Sequence, residues 1–173
     1  MSNQSAVNVL RTQYGQMQGW LNGTLEGLTD EIIHYNPPGI VSSIAGQLAH
    51  IVTGMDFFVL GLAAGQTPLF VSSFAEKSGI SEPPPQGGDW SAWGKRVKVD
   101  MPLLNAYSQA VFAEVDNYLA SLSDDDLQRE KEFGPAGSQT VLWALNVFIL
   151  NTYCHTGEIA CIKGLKGLKG YPF

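Results

Sequence analysis

The stretch Asn151-Thr-Tyr-Cys-His155-Thr-Gly-Glu158-Ile lies near the end of the last apolar helical segment of the chain, where polar residues are unexpected. Residues three and four positions apart share one face of a helix, so Asn151, His155 and Glu158 point to the same side. This face also carries Ile159 and Ile162, which indicates burial. An unpaired buried polar group costs about 1–3 kcal/mol, so the three residues need partners. They form either a hydrogen-bonded core cluster or a binding site.

The segment around this stretch has a helical period from near Ser138 to about Leu165. It ends in glycine-spaced lysines, as helix C-caps commonly do. Three further segments have the same period, over residues 7–28, 44–62 and 101–122, and no strand-like alternation lies between them. The sequence therefore predicts an all-α fold: a four-helix bundle with a long crossover between the second and third helices. We expect it to form a single domain over residues 1–173.

The crossover, from Gly65 to Val99, is rich in glycine, proline and serine and includes Pro83-Pro84-Pro85. It also contains Trp90 and Trp93, which a flexible linker would not usually carry. We therefore expect an ordered segment packed over one end of the bundle. The two tryptophans are expected to pack in the core or to cover a cavity.

The composition limits the classes of partner. The chain has 16 acidic and 10 basic side chains and a net charge of −6, which argues against nucleic acid or an anionic membrane as partner. Two small basic clusters, at residues 95–98 and 163–169, are interpreted as solvated helix ends and loops. The first residues have no signal-peptide pattern, and no uninterrupted apolar run reaches ~18 residues. We expect a cytoplasmic protein that acts on a small molecule.

The two cysteines and one of the three histidines are assigned structural roles. Cys154 and Cys161 are seven positions apart, about 10 Å along a helix axis, which is too far for a disulfide. We expect two reduced, buried thiols that point away from His155. His34 precedes Tyr-Asn-Pro-Pro after the first helix, and we interpret it as a surface or turn-packing side chain.

A second histidine on an apolar helix changes the interpretation of His155. His50 lies in Leu-Ala-His50-Ile-Val on the second helical segment, where Asp56 is the only charged residue before Gly65. On so apolar a helix, the side chain of His50 is expected to face the protein interior. If the second and fourth helices adjoin, His50 and His155 face one cavity.

Two short motifs resemble those of the DinB/YfiT-like family. Leu48-Ala-His50-Ile51 is similar to the family's Leu-x-His-(Ile or Leu) element in the second helix. His155-Thr-Gly157-Glu158-Ile159 is similar to its His-x-Gly-(Gln or Glu)-(Ile or Leu) element in the last helix. The segment from Leu28 to Pro38 also resembles the first inter-helix connection of one branch. The resemblance spans nearly the whole chain in element order and implies a metalloenzyme built as a four-helix bundle.

The resemblance also implies a metal triad at His50, residue 151 and His155. Three imidazoles at these positions would suit nickel or zinc and leave room for water or a thiolate. In this chain residue 151 is Asn151, whose amide oxygen is a weak ligand for a transition metal. Glu158 falls on the family's Gln or Glu position, where it would hydrogen-bond to a ligand or act as a catalytic base.

Three functional interpretations remain open from the sequence. The first is a metal-dependent enzyme that uses a low-molecular-weight thiol in a transferase or isomerase reaction, as the resemblance implies. The second is a non-catalytic small-ligand-binding or stress-associated helical protein with a degenerate metal site, which the exchange of histidine for Asn151 supports. The third is a structural homodimer with the apolar second helix as its interface.

Overall fold

Six helices form most of the computed structural model, which describes residues 5–85, 87 and 89–173. In chain order they are α1 (Ala6–Leu25), α2 (Asp30–Ile33), α3 (Ile44–Gly54), α4 (Trp90–Arg96), α5 (Met101–Ser121) and α6 (Val141–Leu165). Helix α3 continues without a break as a π-helical segment, Met55–Ala63. The predicted all-α fold class is confirmed.

The four long helices pack around one hydrophobic core. Helix α1 contacts α5 and α6, and α3 with its π-helical extension contacts the same two helices. The core is filled by large side chains from all four, including Met17, Leu21, Ile44, Ile51, Tyr107, Leu119 and Ile159. Helix α3 and helix α6 therefore adjoin, which is the condition for His50 and His155 to meet.

The apolar stripe predicted over residues 7–28 is confirmed for its first five residues, Val7, Leu10, Tyr14, Met17 and Leu21, which are all buried. The helix ends at Leu25, and Leu25 and Leu28 are only partly buried. The helix begins after Ser5, whose side chain accepts a hydrogen bond from the backbone N–H of Asn8, as an N-cap serine does. The 3.6-residue period of the sequence thus identified the buried face of α1.

The expectation that no strand is present was wrong. A short antiparallel hairpin joins β1 (Glu130–Glu132) to β2 (Ser138–Thr140). Each strand has three residues and few apolar ones, so it is too short and too polar to show the alternation that marks a strand. Helix α6 consequently begins at Val141 rather than near Ser138, and Thr140 caps it by accepting from the N–H of Trp143.

The crossover is held by a buried carboxylate. Asp56 is fully buried on the π-helical segment and accepts hydrogen bonds from the backbone N–H groups of Leu69, at 2.8 Å, and Phe70, at 2.7 Å. The hydroxyl of Tyr107 donates to the same carboxylate at 2.7 Å. Burial, followed by the Asp56 charge, raises the pKa of Tyr107, which therefore keeps the proton that it donates. Asp56 ties the crossover to α3 and α5.

Further along the crossover, α4 packs directly against α3. Ser43, the N-cap of α3, donates from its hydroxyl to the carbonyl of Gly94 at 3.1 Å. A Cβ on Gly46 would overlap with that carbonyl oxygen, so glycine is required for the two backbones to approach. The described part of the crossover is packed on the bundle, as predicted.

Two expectations about α6 were wrong. Lys163 is not solvated: it is 3% exposed, and its ammonium donates to the carbonyls of Thr24, at 2.5 Å, and Glu26, at 2.8 Å. Burial lowers the pKa of Lys163. Cys154 and Cys161 are free thiols as predicted, but both are exposed. Helix α6 has apolar residues on every face, so its sequence pattern does not show which face points inward and which points to solvent.

The continuous helix Ile44–Ala63 is long and apolar enough to cross a membrane by length and composition. However, 72% of its most apolar 18-residue window is buried inside the protein. This burial is typical of the core helix of a soluble protein. The dimer interface suggested for this helix stays a prediction, and the part open to a partner would be its C-terminal end, where Leu62 is 45% exposed.

Candidate functional site

His50 on α3 and His155 on α6 lie side by side. Their ring centroids are 5.0 Å apart and the ring planes cross at 79°. Both line a cavity of about 350 Å³ whose wall also includes Gln47 and Glu158. The two imidazoles that the sequence placed on separate helices thus share one space.

Tryptophans of α4 cover this cavity. Trp90 makes an edge-to-face contact with His50 at a centroid distance of 4.8 Å, and Trp93 packs against Trp90 at 5.5 Å. Trp93 is buried and Trp90 is 38% exposed, so Trp90 forms the outer wall. The prediction that these tryptophans pack in the core or cover a cavity is confirmed. Sequence reasoning did not pair Trp90 with His50.

His155 is oriented by Glu158. The Nδ1 atom of His155 lies 2.8 Å from a carboxylate oxygen of Glu158, one turn further along α6. A carboxylate only accepts, so the imidazole donates from Nδ1, and its Nε2 carries the lone pair when the ring is neutral. A metal-ligating histidine commonly donates its other ring nitrogen to a carboxylate in this way.

His50 lacks such a partner. Its Nδ1 atom is buried and has no hydrogen-bond partner within the described residues. Burial, with a smaller contribution from His155, lowers the pKa of His50 to about 4. The ring is therefore neutral at neutral pH, and one of its nitrogens carries a lone pair.

Other buried polar atoms near the two histidines are also unpaired among the described residues. They are the Oε1 atom of Gln47 and the Nε1 atom of Trp93, both in the wall of the same cavity, and the Oδ1 atom of Asn151. Asn151 lies one helical turn before His155 on α6 but does not line the cavity. The structure thus brings His50, His155 and Glu158 together and leaves Asn151 just outside them.

The distance between the two imidazole rings is compatible with binding to one transition metal, but two histidines alone do not complete its coordination. An imidazole bound at ~2.1 Å has its centroid roughly 3.2 Å from the metal. Two such ligands at a tetrahedral or octahedral angle then have centroids roughly 4.5–5.2 Å apart, which includes the observed 5.0 Å. Within the described ranges, no three His, Cys, Asp or Glu side chains converge as a metal-binding group. A third donor from the described residues would therefore be of another kind, such as an amide oxygen.

A second cavity, of about 640 Å³, adjoins the first. His50 and Trp90 belong to the walls of both. The rest of its wall is almost entirely apolar and comes from α3, the crossover and α6, through Gly54, Phe57, Phe58, Leu62, Phe70, Val71, Pro83, Pro84, Pro85 and Phe148. Sequence reasoning missed this cavity, although the phenylalanine pair beside His50 and the proline run in the crossover were its available signals.

His34 takes the turn-packing role that was predicted for it. Its Nε2 accepts from the backbone N–H of Val99 at 3.1 Å, and its Nδ1 lies 3.0 Å from the carbonyl of Asp30. A larger groove, of about 850 Å³, runs between α1 and α5, but it contains none of the predicted site residues. Two of its three charged residues, Arg11 and Asp116, pair with each other, and the third is Glu26. The two-histidine cavity is therefore the candidate site.

Comparisons with known proteins agree with this fold. A sequence profile described as the DinB superfamily matches residues 13–159, a range that includes all four predicted site residues. A solved structure, described as the conserved protein of a locus from Enterococcus faecalis, superposes with a TM-score of 0.79 at 17% identity. The match covers 92% of this chain and 96% of that one. At this identity the likeness shows the fold alone, and comparison with curated proteins gives no match.

Proposed function

The chain belongs to the DinB superfamily. On this basis we propose that it is a metal-dependent enzyme in which His50 and His155 bind a divalent transition metal, nickel or zinc. The observation that carries the proposal is the adjacent pair of imidazoles, with centroids 5.0 Å apart in a cavity. We further propose that the reaction is a transferase or isomerase step on a small molecule, with a low-molecular-weight thiol as cosubstrate.

Each residue of the site has a role in this proposal. A bound metal would lower the pKa of a thiol or water and so supply a nucleophile at neutral pH. Glu158 holds the proton of the His155 Nδ1 atom and turns the Nε2 atom toward the cavity. Trp90 and Trp93 exclude water from one side of His50. The amide oxygen of Asn151, which has no hydrogen-bond partner among the described residues, would act as a weak ligand or orient water.

The test is metal analysis of protein purified without a histidine tag. We expect about one nickel or zinc ion per chain and a rise in melting temperature with the metal that binds. His50→Gln should weaken metal binding by more than ~100-fold, and Glu158→Gln by ~10–100-fold. His34→Gln is the matched control, because His34 packs against Val99 outside the cavity, and it should leave metal binding unchanged. No metal above background and no thermal shift would overturn the proposal.

A second candidate function is a non-catalytic protein that binds a small ligand in the polar cavity without metal. The specific observation in its favour is that no third His, Cys, Asp or Glu joins the two histidines within the described residues. The substitution Asn151→His separates the two candidates. Tight stoichiometric metal binding that the starting protein lacks would show that the site had lost its metal. Unchanged metal uptake in a protein that already binds metal would support the enzyme.

The remaining proposals concern partners and location. The net charge of −6 supports a small-molecule partner rather than nucleic acid or an anionic membrane. We propose that the protein acts in the cytoplasm. A homodimer also remains a prediction, which sedimentation can test.

A further inference from the structure

We propose that the aromatic cavity beside His50 binds the hydrophobic body of an uncharged small-molecule substrate, whose reacting group then lies at the two histidines. The assignment of this molecule as a substrate rests on the proposed function. The assignment of the cavity as a binding site rests on its own geometry and can be tested separately.

The size and position of the cavity suit a small molecule. Its volume of about 640 Å³ lies within the ~300–1,000 Å³ that small-molecule sites occupy. Two turns of an α-helix, ~10 Å across, would take up roughly 850 Å³, so the cavity is too small for a helical partner. Because His50 and Trp90 form part of both cavities, a molecule that fills the apolar one touches the ring of His50.

The chemistry of the wall selects an uncharged occupant. Aromatic rings dominate it, with Phe58 and Phe148 in contact at a centroid distance of 4.8 Å and Phe57 and Phe70 at 5.8 Å. Among the described lining residues, His50 is the only ionisable one. A charged group in this cavity would lose its water without gaining a counter-ion, which is costly. An aromatic or branched apolar body would instead pack against the rings.

The fold builds this wall with a local departure from α-helical geometry. Phe57, Phe58 and Leu62 all lie on the π-helical segment Met55–Ala63, a type of helix that is frequent at functional sites. Gly54, just before it, lets Phe148 approach α3, since a Cβ there would lie 2.6 Å from a ring carbon of Phe148. The π-helical segment thus contributes aromatic side chains to the cavity wall.

Asp56, on the same segment, positions the crossover side of the cavity. Asp56 accepts from the backbone N–H groups of Leu69 and Phe70, and Phe70 and Val71 line the cavity. Asp56 is therefore a positioning residue that acts through the backbone of Phe70. One π-helical segment therefore supplies both the buried carboxylate of Asp56 and part of the cavity wall.

The experiment is a titration with N-phenyl-1-naphthylamine, an uncharged aromatic fluorophore whose emission rises in an apolar site. We expect saturable binding of one molecule per chain. Val71→Asp places a charge at the rim of the cavity, and because Val71 is 57% exposed we expect the fold to tolerate the change. It should weaken binding at least ~10-fold. Val9→Asp on α1, 41% exposed, is the matched control and should leave binding within about twofold.

Nickel and zinc uptake is measured for the same variants, and melting temperatures check that both variants are folded. The inference would be overturned if Val71→Asp and Val9→Asp weakened fluorophore binding equally, or if no saturable binding occurred at all. Either result would leave the proposed metal site standing if metal uptake is normal. Fluorophore binding that depends on Val71 in a protein without metal would support the cavity and count against the proposed metal enzyme. The two failures are therefore distinguishable.

Discussion

Asp56 and His50 lie on the same continuous helix, and each has a buried polar atom, but these atoms differ in whether the protein supplies hydrogen-bond partners. The carboxylate of Asp56 receives three hydrogen bonds, from Leu69, Phe70 and Tyr107, at 2.7–2.8 Å. The Nδ1 atom of His50 is buried and finds no partner in the described structure. Asp56 is enclosed by protein, whereas His50 borders two cavities.

This difference indicates which buried polar groups stabilise the fold and which are available to a ligand. A buried polar group with all its partners in the protein contributes to folding, and its removal leaves those partners unpaired. A buried polar group without partners destabilises the free protein and is explained best by something that binds there. The comparison predicts opposite responses to mutation on one helix.

The largest effect is expected for Asp56→Ala. The substitution leaves two backbone N–H groups and the hydroxyl of Tyr107 without an acceptor, so the free energy of unfolding should fall by about 3–5 kcal/mol. Urea denaturation followed by circular dichroism measures it. Tyr107→Phe removes only one of the donors and should cost less, about 1–2 kcal/mol. A loss below about 1 kcal/mol for Asp56→Ala would contradict the structural role given to this carboxylate.

The next effect concerns the contact that places α4 over His50. Gly46→Ala introduces a Cβ into the position of the Gly94 carbonyl, so α4 must move away and the free energy of unfolding should fall by about 1–3 kcal/mol. Trp90 and Trp93 should become more exposed, with a red shift of tryptophan emission.

Gly15→Ala on α1 is the matched control for Gly46→Ala. A Cβ at Gly15 meets no atom within 4 Å, so the change should raise stability by about 0.5–1 kcal/mol through helix propensity alone. Equal effects of the two substitutions would show that α4 is not held by close backbone contact.

The smallest effect is expected for His50→Leu in protein stripped of metal. The substitution removes an unpaired nitrogen and keeps apolar bulk, so the free energy of unfolding should stay unchanged or rise by up to about 1 kcal/mol. The same variant should no longer gain melting temperature from nickel or zinc. A stability loss above about 1 kcal/mol would mean that His50 has a folding role like that of Asp56.

Local periodicity made much of the fold predictable. The buried stripe from Val7 to Leu21 follows from a 3.6-residue repeat, which can be recognised without knowledge of the rest of the chain. The same repeat predicted α5, which begins at Met101 as expected and ends at Ser121, one residue earlier than expected. The meeting of His50 with His155 required only that two apolar helices adjoin. The pairing of His155 with Glu158 required only helical spacing.

The features that escaped prediction depend on contacts between distant parts of the chain. Trp90 reaches His50 because Gly46 and Gly94 let α4 sit on α3, and no local pattern encodes that crossing. Lys163 was expected in solvent because lysines usually are, yet two carbonyls of the α1 C-terminal turn supply its partners. Asn151 was placed among the ligands by the family resemblance, and that role stays a prediction, although Asn151 does not line the cavity.

The contact between Lys163 and the end of α1 also constrains when the protein can fold during synthesis. The ammonium of Lys163 and the carbonyl of Thr24 that it caps are 139 residues apart, and α1 packs along α6, which is synthesised well after it. Domains fold as units during translation, and contacts between distant residues form slowly because a long loop must close first. The face of α1 that packs on α6 therefore stays uncovered until α6 has left the ribosome, so this bundle cannot close while only its first helices have been synthesised.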